Sequence, residues 1–390
     1  MELEFTAGEE AFRQEVREFI RANLSDRTRQ KLVEGRPIAK EDLVEWTRIL
    51  HKRGWSTPRW PKEYGGTGWT PIQQYIFIEE TLAAPAPEPL AFGVSMVGPV
   101  IYTFGSAGQK ARFLPGIANL DDWWCQGFSE PGAGSDLGSL TCRAEIDGDH
   151  LVVNGQKTWT SYAHVADLQE LLVRTDPDAP KHKGISWVVC DMTTPGIEIR
   201  EIRTMSHVTD FCEVFYDEVR IPLTNVVGGL HNGWRTAMST LSFERGTAFM
   251  ADQVELTSTI ERLIGEAQER TDAHGRPLIG DEEVARRLAT ARAEVDALKA
   301  MTIAGISRTA RTGMPGAEGS MIRFFHGELH QRVYQLALDI IGADALRLTP
   351  VDGDVWTGPY LQSFAYTIGG GTTDIQRNIV GERVLGLPRA

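Results

Sequence analysis

The first stretch of the chain carries apolar residues at helical intervals. Thr6 and Glu9 have the spacing of a capping box, which favours the start of a helix at this point. The apolar stripe that follows consists of Phe12, Val16, Phe19 and Ile20. Two more amphipathic runs cover 43–50 and 75–84. The pattern therefore predicts an N-terminal helical domain over residues 1–120.

From about Trp123 onward, short segments of alternating apolar and polar residues replace the helical pattern. Asp147-Gly148 separates two such segments and predicts a hairpin, and Asn154-Gly155 repeats the turn signal directly afterwards. Further strand-like segments are ISWVVCDM, GIEIREI and CEVFYDEVRI. We expect a middle β domain, a barrel or a sandwich, over residues 121–230.

The helical period returns near Trp234 and persists through the rest of the sequence. One apolar stripe has successive spacings of 4, 3, 4 and 3 residues, the pattern of a helix packed in a bundle. Its members are Val284, Leu288, Ala291, Val295 and Leu298. Later helical runs cover 318–342 and 374–386. These runs predict a C-terminal four-helix bundle over residues 231–390, and the chain as a whole is predicted to be an α+β multidomain protein.

The composition is that of an ordinary globular protein, with 42% apolar and 24% charged residues. A net charge of −13 argues against a nucleic-acid binder. The four cysteines lack metal-ligand spacing, which disfavours a zinc site and a disulfide frame. The N-terminus has no apolar core of the signal-peptide type, and no apolar run reaches the ~18 residues that a membrane span needs. We expect a cytoplasmic protein without a metal ion and without membrane insertion.

The segment from Ser129 to Asp136 has the composition of a loop with exposed backbone. Its sequence, SEPGAGSD, contains two glycines that let main-chain N–H groups approach a ligand, and Ser129 and Ser135 add hydroxyl donors. It matches neither the glycine fingerprint of dinucleotide-binding folds nor the phosphate-binding P-loop. Taken alone, the segment is more typical of an ordinary β-turn than of a ligand site.

A second segment, NGQKTWTS, covers positions 154–161. It places Trp159 between two hydroxyl residues on a predicted strand. Such a tryptophan could cover one face of a flat aromatic cofactor while the neighbouring hydroxyl groups bond to its heteroatoms. A half-buried tryptophan in a β core would have the same sequence pattern.

Three segments together resemble the signature segments of the acyl-CoA dehydrogenases, in the same order and spacing. They are SEPGAGSD, NGQKTWTS and the sequence GGTTDIQRN at 370–378. The segment WPKEYGG at 60–66 and the helix–β–helix order agree with this family, so the resemblance covers nearly the whole chain. It implies an FAD-dependent enzyme that places a double bond between Cα and Cβ of an acyl-CoA thioester.

The resemblance also implies which residues hold the cofactor. Gln126, Phe128 and Ser129 would lie along the flavin ring, and Trp159 and Ser161 would pack against it and bond to it. The other residues implied by the family pattern are Ser135 near the entrance for CoA, Thr372 as an FAD contact from the C-terminal bundle, and Arg270 after the first long helix of that bundle.

The implied reaction needs a carboxylate that removes the α-proton of the thioester. Many members carry it in a Tyr-Glu-Gly-Thr segment, where this chain has glycine at position 370. A minority, resembling isovaleryl- and long-chain-specific enzymes, carries it on another helix directly before an arginine. That pattern assigns Glu244 as the base, beside apolar Phe243, and Arg245 as support for the CoA or acyl end. An exposed Glu-Arg pair on a bundle helix is the competing interpretation.

Homotetrameric relatives complete each FAD site with an arginine and a Gln-x-x-Gly-Gly-x-Gly segment from a neighbouring subunit. Arg270 occupies the first position, whereas the second reads DIIGADA, with Asp339 in place of the amide. An acidic side chain there would face a diphosphate unfavourably. The resemblance therefore implies either a homotetramer or an α2β2 assembly with a second acyl-CoA dehydrogenase-like chain. The implied electron acceptor is an electron-transferring flavoprotein.

Two other functions within this fold remain open at this point. One is an oxidase or monooxygenase that reacts with O2, and the other is a catalytically silent subunit that stabilises a partner. The sequence does not choose among branched, medium-chain, dicarboxylic and steroid acyl groups. A DNA-associated member of the fold is disfavoured by the net charge of −13.

Overall fold

The computed structural model describes residues 5–34, 36, 38–87, 92–312, 316–317, 319–346 and 356–388, and for 241–249 it describes the backbone alone. The helices are α1 (Ala7–Asn23), α2 (Asp26–Val33), α3 (Lys40–Arg53), α4 (Pro71–Ala83), α5 (Gly98–Phe104), α6 (Ala107–Asn119), α7 (Gly233–Glu269), α8 (Glu282–Thr312), α9 (Gly319–Ile341), α10 (Thr357–Ser363) and α11 (Thr373–Arg383). The strands are β1 (Trp124–Gly127), β2 (Arg143–Asp147), β3 (His150–Ser161), β4 (Leu168–Arg174), β5 (Ile185–Asp191), β6 (Ile197–Ile202), β7 (Phe211–Pro222) and β8 (Val226–Val227).

The capping signals fix where the N-terminal helices begin. The Thr6 hydroxyl accepts the amide hydrogen of Glu9 at 3.3 Å, and the Glu9 carboxylate accepts that of Thr6 at 2.7 Å, as the capping box predicts. A second capping box, Thr70 with Gln73, places the start of α4 at Pro71 rather than at position 75. The apolar run at 75–84 did not include this first turn, in which Gln73 and Gln74 interrupt the apolar pattern.

By its contacts the chain forms two compact units. Unit 1 comprises Met1–Ala39, Trp69–Glu88 and Arg245–Ala390. Unit 2 comprises Lys40–Gly68 and Pro89–Glu244. The helices of the N-terminal block are therefore divided, with α1, α2 and α4 in unit 1 and α3, α5 and α6 in unit 2. The boundaries 1–120, 121–230 and 231–390 stay a prediction.

Unit 2 is built on one sheet with the strand order β6-β7-β3-β2-β4-β5-β8, and β1 pairs with β4 in parallel. Successive side chains of β4 enter two different apolar cores, because strand residues alternate between faces. Leu168 and Leu172 pack with Trp187 in the first core, whereas Leu171 packs with Cys190 in the second. Both faces of β4 are therefore covered.

The two turn signals in this sheet have different outcomes. The hairpin at Asp147-Gly148 is confirmed, since it joins β2 to β3. The turn expected at Asn154-Gly155 is wrong, because both residues lie inside β3 at a register shift against β7. Gly155 has a φ of 151°, and a Cβ atom there would lie 2.8 Å from the Cα of Cys142. Glycine is needed here for a close approach of two strands and not for a turn.

Unit 1 is a helical bundle whose core includes the predicted stripe on α8. Four members of the stripe are buried and Val284 is partly buried. They pack with apolar residues of α7 and α9, among them Leu256, Ile260, Leu329 and Val333. None of the described helices has the length and apolar character that crossing a bilayer requires. All four cysteines of the chain are free thiols and buried, and they lie in unit 2.

Candidate active site

The segment expected to line a cofactor begins on β1 in unit 2. Gln126 is half-buried and Phe128 is buried. The Gln126 amide nitrogen donates to Glu170 Oε1 at 2.9 Å, and Glu170 lies opposite it on β4. Position 127 must be glycine, since a Cβ atom there would lie 2.8 Å from the side chain of Gln169. Close pairing of β1 with β4 therefore sets the position of Gln126.

A buried ion pair holds the residues after β1. Lys157 Nζ lies 2.8 Å from Glu130 Oε1 and donates to the Phe128 carbonyl at 3.1 Å. The other acceptor positions of Glu130 are filled by the amides of Thr141 and Cys142 at 2.7 and 2.9 Å. Burial by itself would raise the pKa of Glu130, but Lys157 and these amides hold that pKa below its usual range. The carboxyl group is therefore a fixed structural anion.

The glycine-rich loop beyond Glu130 is open to a ligand. A pair of backbone hydrogen bonds joins Glu130 and Ala133 at 3.0 and 3.1 Å and closes the turn. Gly132, Gly134 and Ser135 are exposed, and a Cβ atom at either glycine would meet nothing within 4 Å. The space beside these main-chain groups is free within the described part of the chain.

Trp159 is presented to the surface of unit 2. Its side chain is 58% exposed and its φ is 59°, a left-handed conformation that is costly for an aromatic residue. It lies at the second register shift of β3 and makes an edge contact with Phe211 at 5.9 Å. Ser161 follows it, half-buried, at the end of β3. The alternative of a tryptophan in the β core does not fit this exposure.

In unit 1, the glycine segment before α11 forms a tight turn. Gly370 and Gly371 have φ values of 68° and 99°. Thr372 is the N-cap of α11 and its hydroxyl oxygen accepts the amide hydrogen of Ile375 at 3.3 Å. Arg323 donates to the Gly369 carbonyl at 2.6 Å and ties the turn to α9. Among the described residues no acceptor is found for the Thr372 hydroxyl hydrogen, which could therefore bond to a ligand.

The residues expected to serve a neighbouring subunit are held by opposite charges within unit 1. Arg270 donates to Glu266 at 2.6 Å and to Asp344 at 3.1 Å. Asp339 lies 2.5 Å from Arg287. The hydrogen bond from Arg287 lowers the pKa of Asp339, although burial acts in the opposite direction. Neither group presents an uncompensated charge.

The predicted base and its neighbour lie on α7. The backbone of this helix runs without a break from Gly233 to Glu269. The side chains of Phe243, Glu244 and Arg245 lie outside the described residues. Their catalytic and substrate-binding roles therefore stay predictions.

Three family models match the chain in sequence order. They are the N-terminal, middle and C-terminal domains of acyl-CoA dehydrogenase, over residues 6–121, 125–219 and 231–385. Acyl-CoA dehydrogenase IpdE1 of Mycobacterium tuberculosis (strain ATCC 25618 / H37Rv) is 37% identical over 385 residues, which cover 97% of this chain and 98% of that protein.

Solved structures agree with the sequence comparison. A chain of the ChsE4-ChsE5 complex from Mycobacterium tuberculosis has a TM-score of 0.87 and 35% identity, with all of both chains covered. A chain of the Tcur3481-Tcur3483 steroid ACAD has a TM-score of 0.87 and 31% identity, also with full coverage.

The fold and site define a three-domain flavoprotein oxidoreductase with helical, β and helical domains. The chain belongs to the acyl-CoA dehydrogenase family, whose members use FAD and act on CH–CH groups. The sequence resemblance and the predicted fold class are thereby confirmed.

The residues of unit 2 fit a flat aromatic cofactor such as FAD. The exposed indole of Trp159 offers a planar apolar surface, and its backbone has a left-handed conformation that is costly for an aromatic residue. The open main chain around Gly132 and Gly134 adds N–H groups that can bond to an anionic or heteroaromatic ligand.

Two residues of this region, Glu170 and Lys157, were missed as functional candidates. Glu170 is fully buried in β4, and Lys157 is fully buried within NGQKTWTS. The apolar residues Leu171, Leu172 and Val173 directly after Glu170 were the signal that could have found it.

Proposed function

We propose that this chain desaturates an acyl-CoA thioester between Cα and Cβ, with Glu244 removing the α-proton. Bound FAD supplies the hydride acceptor, flavin N5, for the hydrogen that leaves Cβ as the double bond forms. The two electrons then pass to an electron-transferring flavoprotein.

The conformation of the glycine turn carries this proposal. Gly370 stands where many members of the family have their base, and its φ of 68° lies in the region that favours glycine. Glutamate at this position would be strained, and the glycine present has no side chain that could accept a proton, so the proposed reaction needs a proton acceptor from another element. Glu244 before Arg245 matches the alternative family pattern on α7.

The described residues support a separate role for each residue at the cofactor site. Trp159 would cover one face of the flavin ring, and Ser161 would donate a hydrogen bond beside it. Gln126, Phe128 and Ser129 would form the edge that the buried Glu130–Lys157 pair holds in place.

Other residues would have the roles that the family pattern implies. Thr372 would contact an FAD through its hydroxyl group. Ser135 and Arg245 would serve the CoA thioester. In a chain with a net charge of −13, a cation such as Arg245 is needed near the anionic substrate.

The charge pairing of Arg270 supports an α2β2 assembly. An arginine already held by Glu266 and Asp344 offers little attraction to a neighbour's diphosphate. This chain would therefore receive the completing residues for its own FAD from a different, acyl-CoA dehydrogenase-like partner. The likeness to a chain of the ChsE4-ChsE5 complex supports this choice. The four free thiols support a reducing compartment, the cytoplasm.

A steroid-derived acyl-CoA is the substrate class that we propose first. The support is the 31% identity, over the whole of both chains, to a steroid ACAD. Branched, medium-chain and dicarboxylic acyl-CoAs form the comparison panel.

The test is anaerobic bleaching of the flavin by acyl-CoA, with Glu244→Gln beside the parent. The parent should bleach, and Glu244→Gln should bind FAD equally but bleach at least about 100-fold more slowly, because general-base catalysis contributes about 10²–10⁴-fold. Glu261→Gln, a surface change on the same helix, is the matched control. Bleaching of Glu244→Gln at the parental rate would overturn the assignment. A parent that binds FAD without bleaching would indicate a silent subunit, and rapid reoxidation by air would indicate an oxidase.

A further inference from the structure

We propose that Glu170 is a positioning residue of the cofactor site, which fixes the side-chain amide of Gln126 in one orientation. The inference rests on the proposed function in one respect, namely that Gln126 lines the flavin. It adds a buried carboxyl group, outside the three signature segments, to the residues that form the site.

The sheet brings the two residues side by side. β1 and β4 run parallel with Gln126 opposite Glu170, so both side chains lie on the same face of the sheet. Glu170 is fully buried, whereas Gln126 is half-buried and reaches the surface of unit 2. Gln126 therefore connects the interior carboxylate with the face on which the cofactor is expected.

The hydrogen bonds define how the amide is turned. Gln126 Nε2 donates to Glu170 Oε1 at 2.9 Å, and the indole N–H of Trp187 donates to Glu170 Oε2 at 3.1 Å. Each oxygen of the Glu170 carboxyl group thus accepts a hydrogen from a neighbouring side chain. Since the amide nitrogen of Gln126 is directed to Glu170, its carbonyl oxygen is turned away, and it presents an acceptor to N–H donors of a ligand.

The surroundings of Glu170 argue against a role in packing alone. Its neighbours on this face of β4 are Leu168 and Leu172, and the same core holds Trp124 and Phe128. A carboxylate in such a core is unfavourable, and a leucine of similar size would stabilise the fold better. A carboxyl group in this apolar core is explained if Glu170 orients Gln126 of the cofactor site.

Glu170→Gln tests the inference with almost no change in shape. The substitution replaces one of the two oxygens by an NH2 group, which is a donor and cannot accept from Gln126 or from Trp187, and these two donate to different oxygens of Glu170. We expect the Kd for FAD, measured by fluorescence titration of the apo full-length chain together with the partner that completes its FAD site, to rise about tenfold, as for the loss of one oriented hydrogen bond. We also expect the visible absorption bands of bound flavin to shift, which a purely structural defect would not cause.

A double-mutant cycle tests whether Glu170 affects FAD binding through Gln126. If Glu170 acts through Gln126, Glu170→Gln should change the Kd less than about twofold in a Gln126→Leu background. An undiminished effect in that background would overturn the inference. Tyr216→Phe is the matched control, because it removes a buried hydrogen bond to β4 in the other core, where the Tyr216 hydroxyl donates to Gln169 at 2.6 Å. It should bind FAD with the parental Kd and spectrum.

Gln126→Asn keeps the test decisive if Glu170→Gln does not fold. The shorter side chain retains an amide but cannot span the distance to Glu170, and the same loss of affinity is expected. Parental affinity and spectrum in either variant would overturn the inference while leaving the dehydrogenase proposal intact. A parent chain that binds no FAD, alone or with its partner, would overturn both.

Discussion

Lys157 Nζ lies 2.8 Å from Glu130 Oε1, and the two side chains are 0% and 5% exposed. The pair joins the end of the β1 segment to the middle of β3, and the Lys157 ammonium also bonds to the Phe128 carbonyl. Because the two partners complete each other's hydrogen bonding, the interaction is tolerated in a dry interior, where an unpaired charge would not be. The edge on which we expect the flavin thus has a rigid support.

Lys157→Met should be strongly destabilising. It leaves the Glu130 carboxylate buried without its counter-charge, and such losses cost about 3–5 kcal/mol. The measurement is the free energy of unfolding from urea titration. Arg200→Met, which removes an exposed partner of Glu198, should leave the urea midpoint unchanged. An unfolding free energy of Lys157→Met within about 1 kcal/mol of the parent would contradict the role given to the pair.

The stability of unit 1 should fall as the pH decreases below neutrality. Burial, followed by the charges of His330 and Arg323, lowers the pKa of His326 to about 3. Burial and Arg323 lower the pKa of His330 to about 4. The ordinary value is 6.5, so the unfolded state binds more protons than the folded state below that pH. The free energy of unfolding therefore decreases with falling pH, by about 1.4 kcal/mol per pH unit for each histidine, and levels off only below the folded pKa values.

His326→Leu checks this pH dependence. Neither ring nitrogen of His326 has a hydrogen-bond partner among the described residues, so the substitution removes few favourable contacts. The slope of unfolding free energy against pH between about 6 and 4 should become shallower. His274→Leu, at an exposed position, is the control and should keep the parental slope. An unchanged slope in His326→Leu would refute the prediction.

Asp344→Asn should remove one of the carboxylates that hold Arg270. We expect that the pairing of Arg270 with carboxylates prevents it from binding the FAD of a neighbouring subunit. The chain expressed alone should then bind more FAD per subunit when it carries Asp344→Asn. Flavin absorbance against protein concentration measures this ratio. Glu283→Gln makes the same change in net charge at a surface pair with Arg286, and it should leave the ratio unchanged. A parent that already forms a homotetramer with four FAD would exclude the explanation.

Local patterns accounted for much of the fold because helices and hairpins form from neighbours in sequence. The Thr6–Glu9 capping box, the α8 stripe and the turn at Asp147-Gly148 all appear as expected. The turn predicted at Asn154-Gly155 was wrong, because the sequence does not distinguish a glycine that permits close approach of the backbone from a glycine in a turn. The left-handed φ of Trp159 gave no signal at all, since no residue type in that segment requires it.

The sequence by itself determined the family, the order of helical and β regions and the candidate residues, because these depend on residue types at short spacings. Tertiary structure decided which of those residues share a face and which charges are already paired. Glu170 comes to Gln126 only through parallel pairing of strands 44 residues apart, and Arg270 meets Asp344 across 74 residues. Such contacts form only when the chain has closed long loops and buried its cores, so no local pattern encodes them.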